Sequence, residues 1–201
     1  MMILAGFFQD ILHTLDGWDK QLFVLINDGT SNSFFDWLFP WWREKNTWIP
    51  FYIFMLLFII YRFGWKAWPW ILLAAAAPAL GDVVSSWCIK PWIDRLRPCN
   101  VQELKSIMHL RVSYCPANGS FTSSHAVNHF ALAIFFFLTL KRHIKSWAWL
   151  FVIWAASICY GQVYVGVHYP GDVLCGAILG ITIGSLLARI FNKKIGLKKR
   201  K

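Results

Sequence analysis

The chain has 201 residues, enough for one domain, and it is 57% hydrophobic and only 15% charged. Soluble domains carry about 25% charged residues, and 13 Trp with 17 Phe are more than an ordinary soluble core takes up, so the composition points to a bilayer, where Trp gathers at the headgroup level. The net charge of +10 does not indicate nucleic acid, because the basic residues stand in short runs between apolar stretches and no reader motif accompanies them.

Met1 to Gly6 lacks a basic n-region and acids follow at Asp10 and Asp16, so no cleavable signal peptide is expected and insertion rests on later segments. Ile3 to Leu15 and Trp18 to Ile26 are short and mix apolar with acidic residues. They read as interfacial helices, either capping the bundle or lying on the membrane surface. Phe34 to Trp48 carries Trp37, Trp41, Trp42 and Trp48, an expected aromatic belt.

Apolar stretches follow at Thr47 to Tyr61, Ala67 to Ile89, His125 to Leu140, Trp147 to Val167 and Val173 to Ile190. Each approaches the ~20 residues that cross a bilayer as a helix. The expected fold is all-α: a polytopic transmembrane helical bundle of about five spans plus N-terminal interfacial helices. It forms a single domain, with interfacial helices and belt over 1–46, the bundle over 47–190 and a basic cytoplasmic tail over 191–201.

Charge sets the orientation. Arg62 and Lys66, then Lys141, Arg142 and Lys145, then Arg189 and the tail Lys193, Lys194, Lys198, Lys199, Arg200 and Lys201 share one side with no acid. The positive-inside rule places that side in the cytoplasm. Every Asp and Glu except Asp82 falls on the other side. The opposite side, which carries the polar features, is then periplasmic or extracellular, and the small size with an outer-facing site suits the bacterial inner (cytoplasmic) membrane.

Those features converge. Lys90 and Arg97 follow the second span, Ser123-Ser124-His125 opens the third, Gln162 to His168 closes the fourth, and Asp172 opens the fifth. Span ends alternate sides, so all fall at the outer face. Lys90 and Arg97 are fixed positive donors of the kind a phosphoryl dianion needs, although interfacial cations also snorkel without a ligand. Ser123 is placed to cap a helix whose N-terminus favours an anion. His168 and Asp172 are four apart. A carboxylate on one imidazole nitrogen fixes the tautomer and leaves the other to attack phosphorus, while His125 could protonate the leaving alkoxide.

The pattern resembles the type 2 phosphatidic acid phosphatase superfamily, whose motifs are shared with vanadium haloperoxidases and bacterial non-specific acid phosphatases. Lys90 to Pro98 matches the first motif, Lys, six residues, Arg-Pro. Thr122-Ser123-Ser124-His125 keeps the Ser and His of the second, Pro-Ser-Gly-His. Gly161-Gln162, five residues, His168, three residues, Asp172 follows the third, where the family has Ser-Arg in place of Gly-Gln. The resemblance covers about residues 80 to 185. It implies a metal-independent, cofactor-free lipid phosphatase with His168 as nucleophile forming a phosphohistidine, Asp172 orienting it, and His125 as general acid. Lys90, Arg97, Ser123, Ser124 and Gln162 bind the phosphate. The implied partner is the lipid bilayer with a lipid phosphate in it: undecaprenyl pyrophosphate, phosphatidylglycerol phosphate, phosphatidic acid or phosphorylated lipid A.

Gln162 donates a hydrogen bond but brings no charge. Either another cation compensates, with Arg95 or Arg111 as candidates, or the protein is a catalytically weak lipid-phosphate binder or transporter. Asp82 lies inside a span beside Ser85 and Ser86, placed for a helix–helix hydrogen bond or for the site. Cys88, Cys159 and Cys175 read as small apolar residues. Cys99 and Cys115 share the outer loop, where they either pair in an oxidising compartment or stay free. The rest of that loop, from Pro98 to Gly119, is long and polar and is expected to roof the site.

Overall fold

The computed structural model describes residues 2–198, with side chains from residue 9 onward; Lys199, Arg200 and Lys201 of the basic tail lie outside the described residues. Among the described residues there are seven α-helices of more than one or two turns: α1 (Met2–Asn27), α2 (Ser33–Trp42), α3 (Ile49–Phe63), α4 (Trp68–Asp82), α5 (Ser124–Ile144), α6 (Trp149–Tyr164) and α7 (Pro170–Lys194). The two N-terminal segments expected from sequence are one helix of 26 residues. Gly17 does not interrupt it, since a single glycine costs a helix only about 1 kcal/mol.

Among the described residues, four helical runs are long and apolar enough to cross a membrane. The third, Ser124–Tyr164, has 41 residues, which as a straight helix would reach ~60 Å, about twice a hydrocarbon core. It instead doubles back. Lys145 takes φ 54°, a short 3-10 turn follows, and α6 returns along α5 with Phe136 on Phe151 (ring centroids 5.2 Å) and His129 on Trp154 (5.2 Å). Five helices, α3 to α7, therefore lie side by side, as the five apolar stretches require.

Local chemistry sets the ends. Gly64 at φ 74° closes α3, and Pro stands in the first turn of α3, α4 and α7, where its missing N–H costs nothing. Beyond Asp82, α4 loosens into a π-helical stretch, Val83–Ile89, and a 3-10 turn, Lys90–Trp92. The aromatic belt divides. Trp37 and Trp41 are 67% and 69% exposed, whereas Trp42 and Trp48 turn inward, Trp42 Nε1 donating to the Ser157 hydroxyl at 2.8 Å and Trp48 Nε1 to the Trp42 carbonyl at 2.8 Å. Leu57, Ile153 and Leu174 remain about 60% exposed on outward faces, as side chains meeting lipid rather than water do.

The contact that positions the site is α5 against α7. Gly176, Gly180 and Gly184 recur every fourth residue along α7 and face the backbone of α5; a Cβ on Gly176 would lie 2.8 Å from the Ser123 carbonyl oxygen, and one on Gly180 or Gly184 would press into the Val127 or Ala131 carbonyl. Small residues at this period let two helix backbones touch. The start of α5, with His125, is thereby held beside the start of α7, with Asp172. Across the bundle Trp70 Nε1 donates to the Thr139 hydroxyl at 2.8 Å, tying α4 to α5.

The outer loop after α4 is tied down. Cys99 and Cys115 form a disulfide with Cα atoms 6.0 Å apart, two residues beyond Arg97. Leu104 packs with Phe23, Val163 and Tyr169. The Arg111 N–H donates to the Val165 carbonyl, and Asn27 exchanges two hydrogen bonds with the His109 backbone.

Two outcomes follow. Gly180→Val should destabilise the protein by about 1–3 kcal/mol through overpacking, read as a fall in unfolding midpoint in detergent, with phosphate release reduced in parallel; an unchanged midpoint would contradict the packing. Under non-reducing denaturation three thiols should react, from the free Cys88, Cys159 and Cys175, with Cys99 and Cys115 reacting only after reduction.

Candidate functional site

The site lies where the loop after α4, the start of α5, the end of α6 and the start of α7 meet. Gly166 at φ 91° turns the chain after α6 and sends His168 inward. Pro170 then opens α7, and Asp172, in its first turn, reaches back to accept from the Tyr169 N–H at 2.9 Å, the carboxylate half of a capping box.

Asp172 is fully buried and still collects donors from four directions. Its Oδ1 accepts from Arg95 Nη1 at 2.8 Å. Its Oδ2 accepts from the Ser120 hydroxyl and the Tyr169 N–H and faces His168 Nδ1 at 3.5 Å. The Ser123 N–H donates to its backbone carbonyl at 3.1 Å, which ties the second sequence motif to the third.

His168 is 2% exposed. Arg97 Nη1 lies 2.9 Å from its Nε2 and also donates to the Val167 carbonyl at 2.9 Å. A guanidinium only donates, so Nε2 accepts, and the ring proton is on Nδ1, facing Asp172. Burial pushes the His168 pKa down to about 4, with Asp172 opposing and the Arg97 charge adding to the fall. The imidazole is therefore neutral at pH 7, with its tautomer fixed.

The cations are clamped. Arg97 also donates from Nε to the Asn118 carbonyl (2.9 Å) and from Nη2 to the Asn118 side chain (2.8 Å). Burial lowers its pKa to about 10, with Asp172 working against the fall and Arg43 reinforcing it, so it stays charged. Lys90, 8% exposed, donates to the Gly119 carbonyl at 2.9 Å. His125 opens α5 one turn before His129, the two rings parallel with centroids 6.1 Å apart. Its imidazole makes no hydrogen bond among the described residues, and His168, Arg97 and Arg43 all lie within electrostatic range of it.

The structure thus brings His125, His168, Asp172, Lys90 and Arg97 together. Ser123 is buried and caps α5, accepting from the Ala126 N–H at 3.4 Å. The Ser124 hydroxyl turns toward Ser85 and Ser86, 3.1 and 3.2 Å away, leaving its backbone N–H at the helix start. Gln162 is fully buried; its Oε1 accepts from Arg43 Nε at 3.2 Å. Asp82 accepts from Ser86 Oγ at 3.1 Å on its own helix, while Ser85 bonds Thr122.

Neither cation weighed as compensation for Gln162 is free. Arg95 pairs with Asp16 (2.7 Å), Asp19 (2.8 Å) and Asp172, and stacks 4.0 Å over the Tyr169 ring. Burial disfavours its charge, yet the Asp172, Asp19 and Asp16 carboxylates raise its pKa above the ordinary arginine value. Arg111 is bound to Asp36 and sits 4.4 Å over Tyr164. Asp16, Asp19, Ser120, Asn118 and Arg43 are the contributors that motif reading missed. Asp19 also accepts from the Gly171 N–H at 2.7 Å, so α1 grips the turn between His168 and Asp172. Among the described residues no group of three or more His, Cys, Asp or Glu converges as a metal set would.

The chain resembles known proteins across this region. It is 30% identical over 173 residues to the lipid A 4'-phosphatase of Bacteroides thetaiotaomicron, covering 85% of this chain and 75% of that protein. It is 31% identical over 178 residues to an undecaprenyl-diphosphatase of Sulfolobus acidocaldarius, covering 87% and 79%. Its fold matches the crystal structure of a transmembrane PAP2-type phosphatidylglycerolphosphate phosphatase from Bacillus subtilis with a TM-score of 0.67 at 18% identity, covering 90% of this chain and 88% of that one. The PAP2 superfamily model matches residues 68–195, the stretch that carries every motif residue above, and the chain is a multi-pass membrane member of that superfamily.

Proposed function

We propose that this protein is a phosphatase that removes phosphate from a membrane lipid through a phosphohistidine on His168. The observation that carries the reading is the arrangement of a neutral His168 with Nδ1 toward Asp172 and Nε2 toward Arg97. Nε2 attacks phosphorus, and the bond from phosphorus to the lipid oxygen breaks. His125, protonated once the phosphoryl dianion offsets the cations around it, gives that oxygen its proton. A water then attacks the phosphohistidine, His125 takes its proton, inorganic phosphate leaves and His168 is restored. Lys90, Arg97 and the N–H groups at the start of α5, Ser124 included, hold the phosphoryl oxygens as charge builds.

The substrate class is a phosphomonoester or pyrophosphate on a long-chain lipid. The relatives named for lipid A and undecaprenyl diphosphate align over more than four-fifths of this chain at 30% and 31% identity, which favours those headgroups over phosphatidic acid. An apolar cavity of about 900 Å³ between α3, α5 and α6 is lined by Trp42, Trp48, Phe51, Phe58, Phe151 and Trp154. The cavity runs from Trp154, which packs on His129 one turn from His125, to His143 and Lys145 at the opposite end of α5, and it is the groove we assign to the lipid's hydrocarbon chain. The positive-inside charges and a disulfide beside Arg97 both support an outer-facing site in a bacterial inner membrane.

In detergent, wild-type protein should release inorganic phosphate from at least one of lipid A, undecaprenyl pyrophosphate and phosphatidylglycerol phosphate. His168→Ala should lose about four to six orders of magnitude in turnover while still inserting; retention of a tenth of wild-type activity would refute the nucleophile. In nitrogen-15 imidazole spectra of the ligand-free protein, His168 should stay the neutral Nδ1–H tautomer as pH falls through the usual histidine range and protonate only near pH 4. Protonation consumes the Nε2 lone pair, so the nucleophile is present above that pH and lost below it. Titration near 6.5, or an Nε2–H tautomer, would contradict this.

A further inference from the structure

Arg43 is an arginine that neither motif nor topology accounts for. It follows α2, and its N–H donates to the Phe39 carbonyl at 3.2 Å. Its side chain is 3% exposed. Nε donates to Gln162 Oε1 at 3.2 Å and Nη1 to Glu44 at 2.9 Å, while Nη2 makes no hydrogen bond among the described residues. The carboxylate it meets belongs to Glu44, itself 41% exposed. A buried guanidinium so partly neutralised retains strong affinity for an anion.

The chain is shaped to bring it there. Phe39 packs on Tyr160 and Tyr164 with ring centroids 5.3 and 5.0 Å away. A Cβ on Gly161 would stand 3.0 Å from the Phe39 ring, so the glycine makes room for α2. The next residue, Gln162, presents an amide oxygen that accepts from Arg43, where an arginine would repel it. Gly161-Gln162 is the dipeptide that departs from the third motif, and both departures serve the same incoming helix.

We propose that Arg43 is a phosphate-binding residue of this site, supplying from the N-terminal segment the positive charge that Gln162 lacks, with Gln162 as the positioning residue that aims it. The charge is moved, not lost, and joins Lys90 and Arg97 around the phosphoryl group. The Arg43 charge already reaches both His125 and Arg97. The proposal rests on the lipid-phosphatase reading, and it removes the main motive for regarding the protein as a weak binder.

The test compares Arg43→Gln, Arg43→Lys and the double variant Arg43→Gln/Gln162→Arg with wild type. Two readouts are used: phosphate release from the best substrate of the lipid panel, and orthovanadate binding by calorimetry, which needs no turnover. Arg43→Gln should lose about 100-fold in kcat/KM, the scale of one charged donor to a transition state, and at least tenfold in vanadate affinity. Arg43→Lys should keep vanadate affinity within tenfold. The double variant, with the charge returned to position 162, should recover at least tenfold over Arg43→Gln in both readouts, which a purely structural role would not produce. Turnover and vanadate affinity of Arg43→Gln within threefold of wild type, or a double variant no better than the single one, would overturn the proposal. A wild-type protein that binds vanadate through Arg43 but hydrolyses no lipid would count against the phosphatase reading alone.

Discussion

The site depends on one buried carboxylate. Asp172 has no exposed surface, and an ionised carboxylate in that position is tolerable only if donors and countercharge surround it. They come from the two ends of the loop between α4 and α5, Arg95 and Ser120, and from the turn before α7, His168 and the Tyr169 N–H. Arg95 in turn draws in Asp16 and Asp19 of α1. Removing the carboxylate would free the imidazole and leave Arg95 to the two α1 acids alone. The order of the site and the seating of the N-terminal helix are thus coupled through one guanidinium.

Much of this was legible in the sequence. The five apolar stretches map onto α3 to α7 because hydropathy over ~20 residues is a direct consequence of bilayer thickness. The spacing of His168 and Asp172 suits their meeting, since Pro170 opens α7 and its first turn carries the Asp172 carboxylate back toward the residue before the cap. The disulfide stood open, because two cysteines in one loop establish proximity but not pairing. The single long α1 was missed: its acidic residues read as interruptions, whereas Asp16 and Asp19 face Arg95 and Gly171.

Other contributors were not legible at all. Arg43 is 119 residues from Gln162, and no local pattern marks it as different from a cation at the headgroup level. Ser120 and Asn118 stand in a stretch without periodicity, where a side chain's role depends on the path of the loop. Arg95 looked available because it sits inside the first motif; only the arrival of α1 shows that its charge is already balanced. What sequence could supply was the anomaly, a missing positive charge at position 162. What it could not supply was the long-range packing, Phe39 over Gly161, that answers it.

The contact between Arg97 and His168 Nε2 has a kinetic meaning on the proposed mechanism. In the ligand-free protein the lone pair that would attack phosphorus is held in a hydrogen bond, so the empty enzyme carries a masked nucleophile. A phosphoryl dianion offers the guanidinium a stronger acceptor than a neutral ring nitrogen, and when Nη1 donates to it while Nε and Nη2 stay on Asn118, the lone pair is released toward the atom those oxygens surround. Recognition and arming become the exchange of a single hydrogen bond, and the reactive nitrogen is uncovered only when there is phosphorus in front of it.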